Sequence, residues 1–394
     1  MSDYKPIIYS TFINRRDGTE TTTVPILNRV SINKDIRQLC DSFDFDISYR
    51  LSETIDLRSH DFVEFYFLID DRTAALYNKG VTKFQIACGF VEDFMKETDS
   101  TGHRFQGTGR DFLGQLFNVP FLKAKAFDST TLSAFVKYII NSNFPVGGAE
   151  QHLYLAEYLN FRNIARQVVN KGAYTGPVVI PELTDSKIAP ILQQIVDEIY
   201  NVVYQNRHGQ VVIWGRDFLA DMDTGLTLRD YQDSNVQRFV VRENYSKVFS
   251  EVQVQYTGGA NNVDYNIKDT VSQRQFNSDS RARQIFQPEI RTFQTSTLIT
   301  TSGTVDLQDK TRAFAKSILR KSNQNLSMPV ITTNYPYFVQ ADGSKIPYEI
   351  NQVFTLESTR YSIREKYRLA GIGYSQDDQS LTCQLMFVLY DSLI

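Results

Sequence analysis

The sequence predicts a β-rich α+β protein: two antiparallel β-barrel domains with an α+β domain between them. Three observations lead there. The 394-residue chain carries 27 Phe and 22 Tyr but one Trp and four His, and Phe and Tyr favour pleated, half-buried surfaces. Apolar and polar residues alternate at a two-residue period near both ends. Helical stripes are confined to the middle third and one late segment. The length fits about two to three domains. The expected division is an N-terminal arm at 1–23, a first barrel at 24–127, an α+β insert at 128–235 and a second barrel at 236–394, with a long polar loop at 258–288. The two barrels share a pattern but no evident sequence repeat.

Taken in order, residues 1–23 read as an extended arm. Asn14-Arg15-Arg16-Asp17-Gly18 forms a turn signal, and the arm is either frayed or crosses to another subunit. Phe43, Phe45, Ile47, Tyr49 and Leu51 alternate with Asp44, Asp46, Ser48 and Arg50, a half-buried antiparallel strand. Phe62–Ile69 and Val81–Val91 are the next two strands, joined by a connection at Asp70–Gly80. A polar loop, Glu97–Gly102, leads into His103–Gly109. The character changes at Asp111, an N-cap candidate for a short helix through Phe117. Leu132, Phe135, Val136, Ile139 and Ile140 lie on a helical stripe within Thr130–Asn141. Glu150–Val169 is a further helix. Ser186–Gln205 is the strongest, with Ile188, Leu192, Ile195, Ile199 and Val202 on one face. Asn206-Arg207-His208-Gly209 ends it, and Gln210–Trp214 follows as a strand. Strands return from Val236, with Val252, Val254 and Tyr256 alternating against Glu251, Gln253 and Gln255. The polar stretch from Gly258 to Pro288 is expected to be a mobile loop. Asp309–Lys321 is a helix with Phe314, Ala315, Ile318 and Leu319 on one face. Lys366–Tyr374 and Leu381–Leu389 close the chain as strands.

Composition excludes several classes. With 42% hydrophobic and 22% charged residues the chain is neither disordered nor saturated with like charge. There are 42 Lys+Arg against 45 Asp+Glu, a formal net charge of −3, which argues against a surface built to hold nucleic acid or anionic lipid. No apolar run approaches the roughly 20 residues needed to cross a bilayer, so no membrane anchor is expected. Met1–Thr23 lacks the apolar core of a signal peptide, so synthesis and retention in the cytosol are expected. Cys40, Cys88 and Cys383 are odd in number and far apart, which suits free thiols.

No constellation of catalytic, cofactor-binding or metal-ligating residues emerges. Gly107-Thr108-Gly109-Arg110-Asp111-Phe112-Leu113-Gly114 invites a phosphate-loop reading, but Gln115 and Leu116 stand where Lys and Ser or Thr are required. A strand ending in close-packed glycines, then a capped helix, is the better reading. Asp221-Met222-Asp223-Thr224-Gly225 opens like a calcium loop, yet Gly225 falls at the fifth position and Gln232 at the twelfth, so it reads as a turn. His60, His103, His152 and His208 are scattered, without metal-ligand spacing, and His208 beside Gly209 is a turn residue. The three cysteines sit on strand-like apolar segments and read as core. Asp70-Asp71 and Asp377-Asp378 are adjacent pairs whose side chains diverge on extended backbone. Arg360–Arg368 interleaves basic and aromatic residues as a single-strand nucleic-acid binder would, but Glu357 and Glu365 dilute it and strand alternation explains it.

The order of the segments carries a resemblance that no single motif does. A polar arm precedes Ser42-Phe43-Asp44-Phe45-Asp46-Ile47. Gly107-Thr108-Gly109-Arg110-Asp111-Phe112-Leu113 follows. Next come the helix of Ile188–Val203 and the strand Val211-Val212-Ile213-Trp214, then Phe249–Tyr256, and the small-residue helix Thr311-Arg312-Ala313-Phe314-Ala315 before the closing strands. Over about residues 22–392 this resembles the baseplate hub proteins of Mu-type contractile-tailed bacteriophages. These belong with the late control protein D family and are similar to the N-terminal region of the VgrG spikes of type VI secretion. The resemblance implies tail-tube-like barrels in a homotrimeric ring. Six barrels then match the sixfold tail tube, the central spike docks with threefold symmetry, and DNA passes through the lumen. It implies no catalytic residue, no cofactor and no metal. It implies as partners the tail tube protein, the central spike protein, and wedge and tape measure proteins, in a virion tail assembled in the host cytoplasm. The spike is expected to be a separate protein. A tail-associated cell-wall hydrolase, which needs two convergent carboxylates, and a carbohydrate-binding module, suggested by the Tyr and Phe content, are the alternatives.

Overall fold

The computed structural model describes residues 7–13, 20–21, 26–49, 59, 61–68, 83–100, 102–116, 127–143, 168–171, 178–180, 189–190, 192–193, 196, 201–215, 223–230, 236–260, 263–273, 286, 288–294, 304–339, 345–377 and 380–390. The β-rich class holds. The N-terminal region supplies β1 (Ile7–Ile13), β2 (Glu20–Thr21), β3 (Ile26–Asp35), β4 (Ser42–Tyr49), β5 (Phe62–Leu68), β6 (Lys83–Thr98) and β7 (His103–Arg110), followed by α1 (Phe112–Leu116). The middle contains β8 (Phe127–Thr130), α2 (Leu132–Asn143), β9 (Val168–Lys171), β10 (Val178–Ile180), β11 (Asn201–Gln205) and β12 (Val211–Gly215). Then come β13 (Asp223–Arg229), β14 (Val236–Arg242), β15 (Glu251–Ala260), β16 (Val263–Ser272), β17 (Pro288–Gln294), α3 (Thr304–Asn323) and β18 (Met328–Thr333). The chain ends with β19 (Tyr337–Val339), β20 (Lys345–Pro347), β21 (Val353–Ser358), β22 (Ile363–Gln376) and β23 (Leu381–Leu389).

One 13-stranded sheet runs β14-β18-β23-β22-β3-β4-β7-β6-β5-β1-β2, with β21 on β22 and β13 on β21. No closed barrel forms among the described residues. The reason lies in β22. Its first half pairs with β21 from Ile363 to Arg368, and its second half pairs with β3 from Gly371 to Gln376. An edge that would otherwise need closure is therefore taken by the other end of the chain. Apolar alternation then builds one core across both halves. Phe43, Phe45, Phe65 and Ile86 meet Trp214, Phe354, Ile372, Leu385 and Phe387.

Several expectations are corrected. Of the expected arm, Ile7–Ile13 is not frayed but pairs antiparallel with the whole of β5. The third strand extends through Thr98, and the turn shrinks to Asp99–Gly102, where the Asp99 N–H donates to the Gly102 carbonyl at 3.0 Å. The helix expected over Ser186–Gln205 is present at Ala189, Pro190, Leu192, Gln193 and Val196, but Asn201–Gln205 is a strand paired with β12. Val202-Val203-Tyr204 favours a pleated strand, and Val203 and Tyr204 are buried there. Val168 and Val169, placed at the end of a helix, form β9, parallel to β12. The stretch from Gly258 to Pro288 is not all loop. Val263–Ser272 pairs with β15 along its full length, Pro288–Gln294 adds in parallel on the other side, and α3 covers the sheet with Ala315 and Leu319 against Val252, Val254 and Val271. The alternation of Val263, Tyr265 and Ile267 with Asp264 and Asn266 was the available signal. Asp223–Arg229 is a strand parallel to β21 rather than a turn.

Candidate functional site: a charged junction of three chain segments

The glycines of β7 position the site. Gly107 and Gly109 lie opposite Phe45 and Phe43 of β4. A Cβ at Gly109 would sit 2.1 Å from the Phe90 carbonyl oxygen and 2.4 Å from Phe43 Cζ, and one at Gly107 would sit 2.3 Å from Phe45 Cζ. The rings fill the glycine space, so the motif serves packing. β7 ends at Arg110, and the next residue, Asp111, accepts the Gly114 N–H on Oδ1 at 2.9 Å and caps α1.

Asp111 also ties down the loop after β3. Its Oδ2 accepts the Asp41 N–H at 3.0 Å, and its own N–H donates to the Asp41 carbonyl at 3.1 Å. Lys34, only 2% exposed, places Nζ 3.8 Å from Asp41 Oδ2 and 3.5 Å from Glu349 Oε1. Glu349 comes from the segment between β20 and β21. It also takes the Arg207 N–H at 3.3 Å and stands 3.8 Å from Arg207 Nε. Arg207 lies in the β11–β12 turn, where Gly209 has φ 84°. Gln205 completes the join: its Oε1 accepts the Phe112 N–H at 2.7 Å, and its Nε2 donates to the Cys88 carbonyl at 2.9 Å. Residues from the first strands, the middle hairpin and the C-terminal region thus meet in one buried polar knot.

Three carboxylates, Asp41, Asp111 and Glu349, face two cations, Lys34 and Arg207. Burial pushes Asp111 up from 3.8 to about 7. Burial likewise drives Asp41 well above the usual carboxylate range, against the pull of Lys34. For Lys34, burial opposes the charge, but Glu349 and Asp41 outweigh it and hold its pKa above 10.5. Burial and the neighbouring Arg207 lower His208. Burial thus raises both Asp41 and Asp111, and a proton on either one balances the two cations; paired buried charges tolerate removal of a partner poorly. The arrangement fastens segments together. Its carboxylates hold lysine, arginine and backbone amides, and none lines the open cleft formed by Ile36, Arg37, Val203, Trp214, Lys321 and Arg368.

The other candidates disperse. His103 Nδ1 meets Thr98 Oγ1 at 2.9 Å at the start of β7, and His208 is in the β11–β12 turn, as expected. His60, His152, Asp70, Asp71 and Asp378 lie outside the described residues. Asp377 Oδ1 accepts the Ser380 N–H at 2.8 Å in a turn. Asp223 pairs with Lys366 and accepts the Gly225 N–H at 3.1 Å, so its carboxylate is occupied. In the Arg360–Arg368 stretch Ile363 and Tyr367 are buried while Arg364, Glu365 and Lys366 are all exposed, so the strict alternation expected from the sequence does not hold over this part of β22. Cys88 and Cys383 are buried on β6 and β23. Cys40 is half-buried in the bend after β3, not on a strand, and burial pushes its thiol up to about 12. Among the described residues no His/Cys/Asp/Glu group has the arrangement of a metal site, and no helix is long and apolar enough to cross a membrane. Lys34, Gln205, Arg207 and Glu349 were not singled out in the sequence, since none stands in a recognisable motif.

No protein-family model matches the chain, and no curated protein matches it in sequence. Its fold is shared with solved structures. The 43 kDa tail protein of prophage MuSo2 from Shewanella oneidensis is 15% identical with a TM-score of 0.68, over 99% of this chain and 100% of that one. A tail protein from Neisseria meningitidis MC58 is 16% identical with a TM-score of 0.67, over 99% and 98%. An Escherichia coli component of the type VI secretion system, itself structurally similar to the T4 tail proteins gp27 and gp5, is 7% identical with a TM-score of 0.53, over 99% and 78%. At these identities the likeness is one of fold.

Proposed function

We propose that the chain is a structural baseplate hub of a phage tail. In this reading three copies form a ring, each giving two β-modules. Six modules meet the sixfold tail tube, the threefold central spike docks on the other face, and DNA crosses the lumen. The observation that carries it is the likeness of fold to tail proteins along 99% of the chain. The physics suits the role. A sheet continuous through β22 and β3 and a buried charged knot couple the modules, so the subunit transmits load as one body. A net charge of −3 suits a conduit that must not hold phosphate, since DNA affinity depends on Lys and Arg. Tail tube, spike, wedge and tape measure proteins are the partners, and the protein works in the virion tail after assembly in the host cytoplasm. It breaks no covalent bond.

Mixing the purified chain with its cognate tube and spike proteins tests this. A complex with one ring at the tube end is expected, with no clearing of peptidoglycan in a zymogram. A chain that binds neither protein and produces a lytic band would overturn the reading in favour of a hydrolase.

A further inference from the structure

Two lengths of strand edge have no partner strand among the described residues. β6 pairs with β5 only from Lys83 to Phe90. Val91 still donates to the Asp61 carbonyl at 2.9 Å, but beyond it the outer side of β6, from Glu92 to Thr98, has no partner strand among the described residues. β14 pairs with β18 on one side and ends the sheet on the other, from Val236 to Arg242. Both carry apolar residues at the surface. Met95 is 50% exposed, and Phe239, Val240 and Val241 are half-buried. Open edges of this kind invite another strand.

The two edges match in charge, in face and in hydrogen-bond phase. Set antiparallel with Val240 opposite Met95, they bring Arg242 opposite Asp93 and Arg238 opposite Glu97, all four exposed. Opposite charges directly across a pair of strands are favourable. On the other face the same register sets Val241 opposite Phe94, both packed against the core. It also sets Phe239 opposite Lys96, whose Nζ already lies 5.5 Å from the centre of the Phe94 ring. Glu243 falls opposite Glu92, whose charge is met by a bidentate Arg110 at 2.7–3.0 Å.

The phase follows from two details. The Asp99–Gly102 bond closes the β6–β7 hairpin, so Asp93, Met95 and Glu97 turn their backbone groups toward β7, and Phe94, Lys96 and Thr98 turn theirs outward. On the other edge Pro329 of β18 stands opposite Val241 and has no N–H to give. The bonds to β18 therefore fall to Arg238, Val240 and Arg242, which leaves Gln237, Phe239 and Val241 facing outward. The outward groups then pair as Phe94 with Val241, Lys96 with Phe239 and Thr98 with Gln237. This is the register that the charges select.

Among the described residues the two edges are paired neither with each other nor with a further strand. We infer that the β14 edge of one copy adds to the β6 edge of the next, an antiparallel contact between two different surfaces of the same protein. Heterologous contacts of this kind close into rings when their rotation permits. The inference rests on the ring proposed above and names the strands that build it.

A cysteine pair tests it. Val240→Cys with Met95→Cys, in a Cys40→Ser chain, would occupy a non-hydrogen-bonded antiparallel position, where Cα atoms stand about 4.5 Å apart, within disulfide range. Mild oxidation is expected to give covalent oligomers that end at three copies on a non-reducing gel. Each single variant, and Val240→Cys with Lys96→Cys, is expected to stay unlinked. Arg238→Glu with Arg242→Glu is expected to weaken self-association at least tenfold, and adding Asp93→Arg and Glu97→Arg is expected to restore it. Val240 and Cys40 are half-buried and the other positions exposed, and unchanged melting curves check the fold. A wild-type chain that remains monomeric overturns the ring and this contact together. A wild-type trimer whose cysteine pair stays unlinked, or whose charge reversals leave its mass unchanged, overturns the contact alone.

Discussion

Gly107-Thr108-Gly109 on β7 and Gly371-Ile372-Gly373 on β22 are one pattern placed in two halves of the same sheet, yet they answer different demands. On β7 the neighbours of both glycines are aromatic rings, and at Gly109 a carbonyl oxygen as well, all closer than any Cβ tolerates. On β22 the nearest atom to a Cβ at Gly371 would be Met386 Cε at 2.3 Å, the free end of a flexible side chain, and at Gly373 nothing lies closer than 3.8 Å. A glycine pair is therefore no signature of close packing by itself. The residues across the ladder decide, and on β4 these are phenylalanines.

Substitutions can break this contrast. Gly109→Ala has the largest expected effect, a loss of about 3 kcal/mol, because the Phe90 carbonyl cannot yield as a side chain can. Urea denaturation measures it, and a loss below about 1 kcal/mol would show the β7 glycines to be as permissive as those of β22. The junction comes next. The Asp111 carboxyl, raised from 3.8 to about 7, keeps its proton in the folded chain where the unfolded chain has lost it. Its contribution is whole below about pH 4 and is lost as pH rises through about 7. Between pH 5 and 7 the loss approaches about 2 kcal/mol at most, at 1.36 kcal/mol per unit. His208, with its lowered pKa, works in the opposite sense, its contribution falling as pH drops through its ordinary 6.5. In a His208→Gln chain the alkaline loss should steepen, and Asp111→Asn should flatten it. Because the junction ties both halves together, probes placed on β4 and on β23 should report the same profile.

Smaller effects sharpen the comparison. Gly107→Ala is expected to cost about 2 kcal/mol, and Phe45→Leu in the same chain should recover about half of it, since the ring is what the new methyl strikes. A double-mutant cycle reads the coupling, and strict additivity would contradict the packing account. Gly373→Ala is expected to stay within about 0.5 kcal/mol of wild type or to stabilise slightly, because the space is open and the unfolded chain loses freedom.

Much of the strand content was legible because it is local. Phe43, Phe45 and Ile47 on β4, the Leu381–Leu389 alternation of β23, the Asp111 cap and the stripe of α3 are all written in neighbouring residues. The junction is not. Lys34 sits between Asn33 and Asp35 as a solvent-facing strand residue would, and its burial is tolerable because Asp41 is joined by a carboxylate 315 residues away. The join of β22 to β3 is similarly hidden, since each strand alternates correctly whichever neighbour it takes. Asn201–Gln205 misled for another reason: Val202 fits a helical stripe and a strand equally, and pairing with β12 chose the strand.

Sedimentation equilibrium of the purified chain at micromolar concentration measures the central claim most directly. A threefold assembly is predicted, with a single species at three chain masses. A species that stays at one chain mass up to tens of micromolar would contradict a protein that works by ring geometry.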